Sequence, residues 1–142
     1  MFHHIGVACQ ADEFSQGKER EQLTLLGYRP EGEGWIDEQL GMRGQFLVAS
    51  ETGAPRMELV APHGSHSPVA PWLERRVKLY HTAYLVRDLC EEIQRARDNR
   101  AKLLLSPTPA VAFGGRNVAF VMLPNLLLVE FIEQEVTRPS SH

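Results

Sequence analysis

A chain of 142 residues that is 43% apolar and 23% charged is long enough for one domain with a real core, and too apolar to stay disordered. A formal net charge of -3, with no dense lysine or arginine run, excludes nucleic acid and anionic membrane as the main partner. The longest apolar stretches, such as residues 126–129, are far too short for a bilayer span, and Met1-Phe2-His3-His4-Ile5-Gly6 lacks the basic and long apolar regions of a signal peptide. Cys9 and Cys90 form no C-x-x-C pair, so both read as reduced thiols of a cytoplasmic protein.

In chain order, a strand is expected at residues 2–8. A helix over 15–26 follows, weakened by Gly17 and stopped by Gly27. Strands come next at 28–36, 42–49 and 55–61. Residues 63–77 form a linker rich in Pro, Ser, Gly and His, with a short helix over 69–76. A second opening strand covers 79–85. Asp88 then caps a helix with Glu91 three residues on; Leu89, Ile93 and Ala96 share one face, and Glu91 pairs with Arg95 on another. Strands at 102–105, 117–123 and 126–132 complete the pattern, and a tail at 135–142 frays from 137 onward.

This order is an internal repeat. Two βαβββ modules, 1–62 and 78–134, make a single α+β domain. Phe2-His3-His4-Ile5-Gly6-Val7-Ala8 opens the first module and Leu79-Tyr80-His81-Thr82-Ala83-Tyr84-Leu85 the second. Met57-Glu58-Leu59-Val60 closes the first and Val129-Glu130-Phe131-Ile132 the second. His4 and His81 are 77 residues apart, Glu58 and Glu130 72, so the halves run nearly in step.

Strand alternation puts Gly6 and Ala8 on the face of His4, and Ala83 on the face of His81. Each histidine thus has a small neighbour two residues on, which leaves room in front of it. Glu130 stands alone among apolar residues on both faces of its strand. Buried there without a partner, its charge would cost several kcal/mol. One divalent cation would supply that partner. Two imidazoles and two carboxylates, His4, Glu58, His81 and Glu130, suit Zn, Ni, Co, Mn or Fe(II). His3 is expected on the opposite face, packed or hydrogen-bonded. His63 and His66 read as linker residues in solvent.

These residues carry a resemblance covering nearly the whole chain. Histidine near each module start and glutamate near each module end resemble the vicinal oxygen chelate superfamily, which includes glyoxalase I, methylmalonyl-CoA epimerase, extradiol dioxygenases and bleomycin-resistance proteins. Phe2 to Ala8 resembles the epimerase branch's opening. So do Arg56-Met57-Glu58-Leu59-Val60-Ala61-Pro62, with Ser67-Pro68-Val69 and Trp72-Leu73 after it, and Tyr80-His81-Thr82-Ala83-Tyr84-Leu85-Val86-Arg87-Asp88. The resemblance implies a U-shaped mixed sheet around the metal and assigns the four ligand roles to His4, Glu58, His81 and Glu130. It also implies a homodimer.

The activity implied is metal-assisted proton abstraction beside a chelated carbonyl, epimerase-like or glyoxalase-like, on a small molecule such as an acyl thioester. Glu130 is the expected base and Glu58 the second. Arg43 and Arg116 are candidates for a substrate carboxylate or phosphate. The chain departs from the epimerase pattern at residues 42–48, which hold no third carboxylate, and at the loop 106–116, a candidate lid. Two other readings stand beside this one. In the first, His4, His81 and Glu130 hold Fe(II) for an oxygenase and Glu58 is spare. In the second, the protein sequesters a drug or metabolite without reacting.

Overall fold

The two opening strands of the repeat meet at the centre of the sheet. The computed structural model describes residues 1–135, so the expected fraying from 137 lies outside the described residues. β1 (Phe2–Ala8) runs antiparallel to β6 (Leu79–Val86), with His4 opposite Ala83 and Gly6 opposite His81. β1 also pairs in parallel with β5 (Met57–Pro62), setting Gly6 against Glu58. β6 pairs in parallel with β9 (Leu128–Glu133), setting Ala83 against Glu130. Each small residue therefore lies between one histidine strand and one glutamate strand.

The sheet continues outward on both sides. β4 (Met42–Ala49) pairs with β5, and both β2 (Tyr28–Pro30) and β3 (Trp35–Asp37) pair with β4. On the other side β8 (Asn117–Met122) pairs with β9, and β7 (Lys102–Pro109) forms the edge. The result is a nine-stranded mixed sheet in an α+β fold, ordered β2-β4-β5-β1-β6-β9-β8-β7 with β3 beside β2 on β4.

One face of the sheet is covered by helices. α1 (Ala11–Ser15) and α2 (Lys18–Thr24) bring Phe14 and Leu23 against Val7, Leu47 and Leu59. α4 (Leu89–Asp98) lays Leu89 and Ile93 against Ala119 and Phe131. Asp88 caps α4 as expected, its Oδ1 accepting from the Glu91 N–H at 3.0 Å. The other face packs against α3 (Ala70–Glu74), whose Trp72 and Leu73 join Met42, Tyr80, Phe120 and Leu128.

Four local expectations are corrected. The helix expected over 15–26 is two short helices, because Gly17 takes a left-handed φ of 75° between them. The strand expected over 28–36 is interrupted around Gly32, also left-handed at 73°. Arg95 pairs with Glu92, at 2.7 Å, rather than with Glu91. β7 runs on to Pro109 rather than stopping at 105; Pro107 and Pro109 fit because this is an edge strand with register shifts.

Candidate metal centre

His4, Glu58, His81 and Glu130 converge. One ligand-type atom from each lies within 4.8 Å of all the others, and all four residues are buried. His4 Nε2 lies 2.9 Å from His81 Nε2, 3.4 Å from Glu58 Oε1 and 3.4 Å from Glu130 Oε1. His81 Nε2 lies 3.5 Å and 3.4 Å from the same two oxygens. These are the separations of atoms that share a cation at roughly 2.0–2.2 Å. The repeat produces this geometry directly. Two histidines from neighbouring antiparallel strands face two glutamates from the strands flanking them.

The register also explains Gly6. A Cβ there would lie 2.3 Å from His81 Cε1 and 2.4 Å from its Nδ1. The space expected beside His4 is filled by the imidazole of His81, and Gly6 is what admits it.

The donor set fits a divalent ion. Two buried carboxylates repel each other at this range, and Glu130 Oε1 is buried with no hydrogen-bond partner among the described residues. Burial pushes His4 towards the neutral form, but Glu58 and Glu130 outweigh it and raise its pKa to about 9. Burial likewise opposes the charge on Glu130, yet the imidazoles of His4 and His81, each 3.4 Å from its Oε1, hold its carboxyl well below the usual range. With protein groups alone, a proton on His4 thus does the work that a cation does better. Nitrogen and oxygen ligands in equal number suit a borderline metal.

His3 corrects an expectation. It does not leave the site for the opposite face: its Nδ1 lies 2.7 Å from His4 Nδ1. A register shift between Phe2 and His4 breaks the alternation that the expectation assumed. Burial first, then the charges of His4 and Arg56, lowers the His3 pKa to about 4. The Arg56 guanidinium lies 3.3 Å from the other ring nitrogen of His3, so His3 is held between Arg56 and His4 and keeps the His4 ring turned with its Nε2 towards the cluster.

Aromatic rings wall the cluster. Phe113 stacks on His4 with centroids 6.0 Å apart and planes at 20°, while Phe46 meets the same ring edge-on at 5.2 Å. Phe120 meets His81 edge-on at 5.4 Å. Phe113 ends a short 3-10 turn, Val111–Phe113, within the loop expected to be a lid. Asp37, also buried, ties that turn down. Its Oδ2 accepts from Val111 N–H and its Oδ1 from Leu40 N–H, each at 3.0 Å. The space left beside the four residues is about 10 Å³, room for a water or an ion but not for a substrate. Sequence reasoning missed Asp37, Phe46 and Phe113 as parts of the site; none carries a local signal, since each acts through a tertiary contact.

The arginines are placed apart. Arg43 lies on the helix-covered side, its guanidinium 4.8 Å from the Phe14 ring centroid and 3.5 Å from Ser15 Oγ. The structure does not bring it to the cluster, because β4 turns Met42, Gly44 and Phe46 that way instead. Arg116 sits behind Phe113, donating to the carbonyls of Phe113 and Glu133. His63 contacts Glu38 in the linker region, away from the four. Cys9 is buried and its pKa is raised by that burial to about 12; Cys90 is exposed, and neither is in a disulfide. Among the described residues no helix is long and apolar enough to cross a membrane.

Comparison with known proteins agrees with this picture. The chain is 30% identical to the uncharacterized protein YqjC of Bacillus subtilis over 95 residues, 65% of this chain and 67% of that one. The crystal structure of hypothetical protein BH1468 from Bacillus halodurans superposes with a TM-score of 0.71 at 25% identity, covering 99% of this chain and 98% of that one. A methylmalonyl-CoA epimerase from Streptomyces coelicolor, in complex with 2-nitronate-propionyl-CoA, shares the fold with a TM-score of 0.71 at 23% identity, over 98% of both chains. The sequence profile of one family matches residues 3–120, and the chain belongs to it: the glyoxalase/bleomycin resistance protein/dioxygenase superfamily.

Proposed function

We propose that this protein is a divalent-metal-dependent isomerase or lyase that removes a proton next to a carbonyl held through two neighbouring oxygens. The observation that carries the reading is the convergence of two buried imidazoles and two buried carboxylates on one point. His4, Glu58, His81 and Glu130 would hold the ion. A Lewis acid bound there polarises a carbonyl and stabilises the negative charge that grows on its oxygen as the adjacent proton leaves.

The chain's own groups do the rest. Among the described residues Glu130 Oε1 has no hydrogen-bond partner, which leaves a lone pair for the proton that the substrate gives up. Glu58 faces it across the cluster and is the second proton carrier, the role an epimerisation needs on the other side of the carbon. β4 offers Phe46 opposite Glu58, and no carboxylate, so a second base must come from the ligand set itself. His3 fixes the orientation of His4. The aromatic walls exclude water, which strengthens every charge interaction inside. Arg43 and Arg116 lie apart from the cluster, and neither has a part in this reading.

The epimerase complex with 2-nitronate-propionyl-CoA supports an acyl thioester as one substrate to try. The iron oxygenase reading needs Glu58 to be spare, but Glu58 is as deeply buried and as close to both histidines as Glu130 is. The working unit in this reading is a homodimer, which sedimentation will check. Tag-free protein should contain near-stoichiometric divalent metal by elemental analysis, and a Glu130→Ala, His81→Ala double variant should contain none. Cobalt, nickel or zinc leads to assays of α-proton exchange on acyl thioesters and of glyoxalase activity. Protein that takes up no metal on reconstitution overturns the proposal.

A further inference from the structure

A second cavity, of about 310 Å³, opens beside the metal centre and shares its walls. Leu40, Met42 and Phe120 line both spaces, so the two share a wall. The outer cavity has an exposed mouth at Gln39, Pro68 and Leu104, and a buried floor at Met42, Tyr80, Phe120 and Leu128. No Asp, Glu, Lys, Arg or His side chain lines it.

We propose that this chamber receives an apolar tail of the substrate while the tail's carbonyl end reaches the metal centre past Met42 and Phe120. The substrate class is then a chelating carbonyl compound with an aliphatic or aromatic tail, rather than one whose tail carries a carboxylate or phosphate. Two physical points carry this. A charged tail would lose its hydration in the chamber with no opposite charge to pair with, which opposes binding. An apolar tail gains by leaving water, and a cavity of this size and lining is typical of small-molecule sites. The inner space of about 10 Å³ cannot hold a substrate by itself, so whatever is chelated must extend into a neighbouring space; another cavity shares Asp37 and Ala110 with it but is bordered by the charged Asp37 and Glu38, whereas this chamber is lined without charge. The inference rests on the metal-centre reading above.

The test is calorimetric titration of zinc-loaded protein with straight-chain hydroxamates, which chelate through two neighbouring oxygens. Affinity should rise about fourfold per methylene from acetohydroxamate upward until the chamber is full. A hydroxamate whose tail ends in a carboxylate should gain nothing. Leu105 lines the chamber but not the inner space, so Leu105→Trp, which fills the chamber, should erase the chain-length gain and leave acetohydroxamate binding unchanged. Leu104→Glu, at a position 54% exposed and harmless to the core, should reduce the gain by placing a charge at the mouth. Acetohydroxamate binding without any gain from longer chains, or a gain that both variants leave intact, overturns the inference while the metal centre stands. Failure of acetohydroxamate itself to bind overturns the proposed function and this inference together.

Discussion

A methyl group at Gly6 would lie 2.3–2.8 Å from three ring atoms of His81. The ring is buried and walled by Tyr80 and Phe120, so it has nowhere to retreat without leaving the cluster. Gly6→Ala should therefore lower metal affinity at least tenfold, and overpacking should cost about 1–3 kcal/mol of stability. Competition against a chromophoric chelator and urea denaturation measure the two effects; unchanged affinity would refute the packing argument. His3 makes a second case. Loss of a partner that orients a metal-binding histidine costs about 10–100-fold in affinity. His3→Ala should show that loss, and His3→Gln, whose side-chain amide can hydrogen-bond to His4 Nδ1, should recover part of it. At this scale the sequence was partly legible. The four cluster residues stand out because the repeat places them at matching points. His3 was misplaced because a bulge cancels the two-residue alternation, and no residue type near Phe2 announces that bulge.

At the scale of elements, the turn Val111–Phe113 and the segment after β3 are joined through one carboxylate. Asp37 uses both oxygens, one on Leu40 N–H and one on Val111 N–H, while it is itself 2% exposed. Asp37→Asn keeps one acceptor and turns an amide donor towards the other N–H. Leaving a buried donor unpaired costs about 1–3 kcal/mol. The turn is the cheaper segment to release, so amide exchange at Val111, Gly114 and Gly115 should quicken while β1 and β6 keep their protection. Uniform quickening across the sheet would mean that Asp37 supports the whole fold rather than this turn. Elements with sustained patterning, β1, β4, β6 and α4, are legible in sequence. The breaks around Gly17 and Gly32 are harder to read, since a single glycine is tolerated in many helices and strands. β7 was read short because Pro107 and Pro109 argue against a strand unless the strand is known to be an edge.

For the whole molecule, the sheet centres on β1 and β6, and the four residues of the cluster lie on the strands β5-β1-β6-β9. Their charge state is therefore tied to the stability of the entire sheet. His4 has a folded pKa of about 9 against 6.5 for a free imidazole. A raised value means that the folded state holds the proton more tightly, so this contribution is complete below pH 6.5 and is lost as pH rises from 6.5 to 9. Glu130 is shifted the other way, below its ordinary 4.5, so its contribution is complete above pH 4.5 and is lost as pH falls below that. His3 is lowered as well, to about 4 from 6.5, so its contribution is complete above pH 6.5 and is lost as pH falls from there to 4. Protein stripped of metal should then be most stable near pH 6.5, with an acid limb below it and a falling alkaline limb. A divalent ion changes that limb. It takes the place of the His4 proton, and its binding improves as the imidazole loses that proton. Metal-loaded protein should accordingly keep its melting temperature from pH 6.5 to 9, where stripped protein loses stability, and the gap between the two should widen with pH. Melting curves of both forms across this range decide the matter. Parallel curves would mean that metal and proton do not compete for His4, and that the ion, if bound, sits elsewhere.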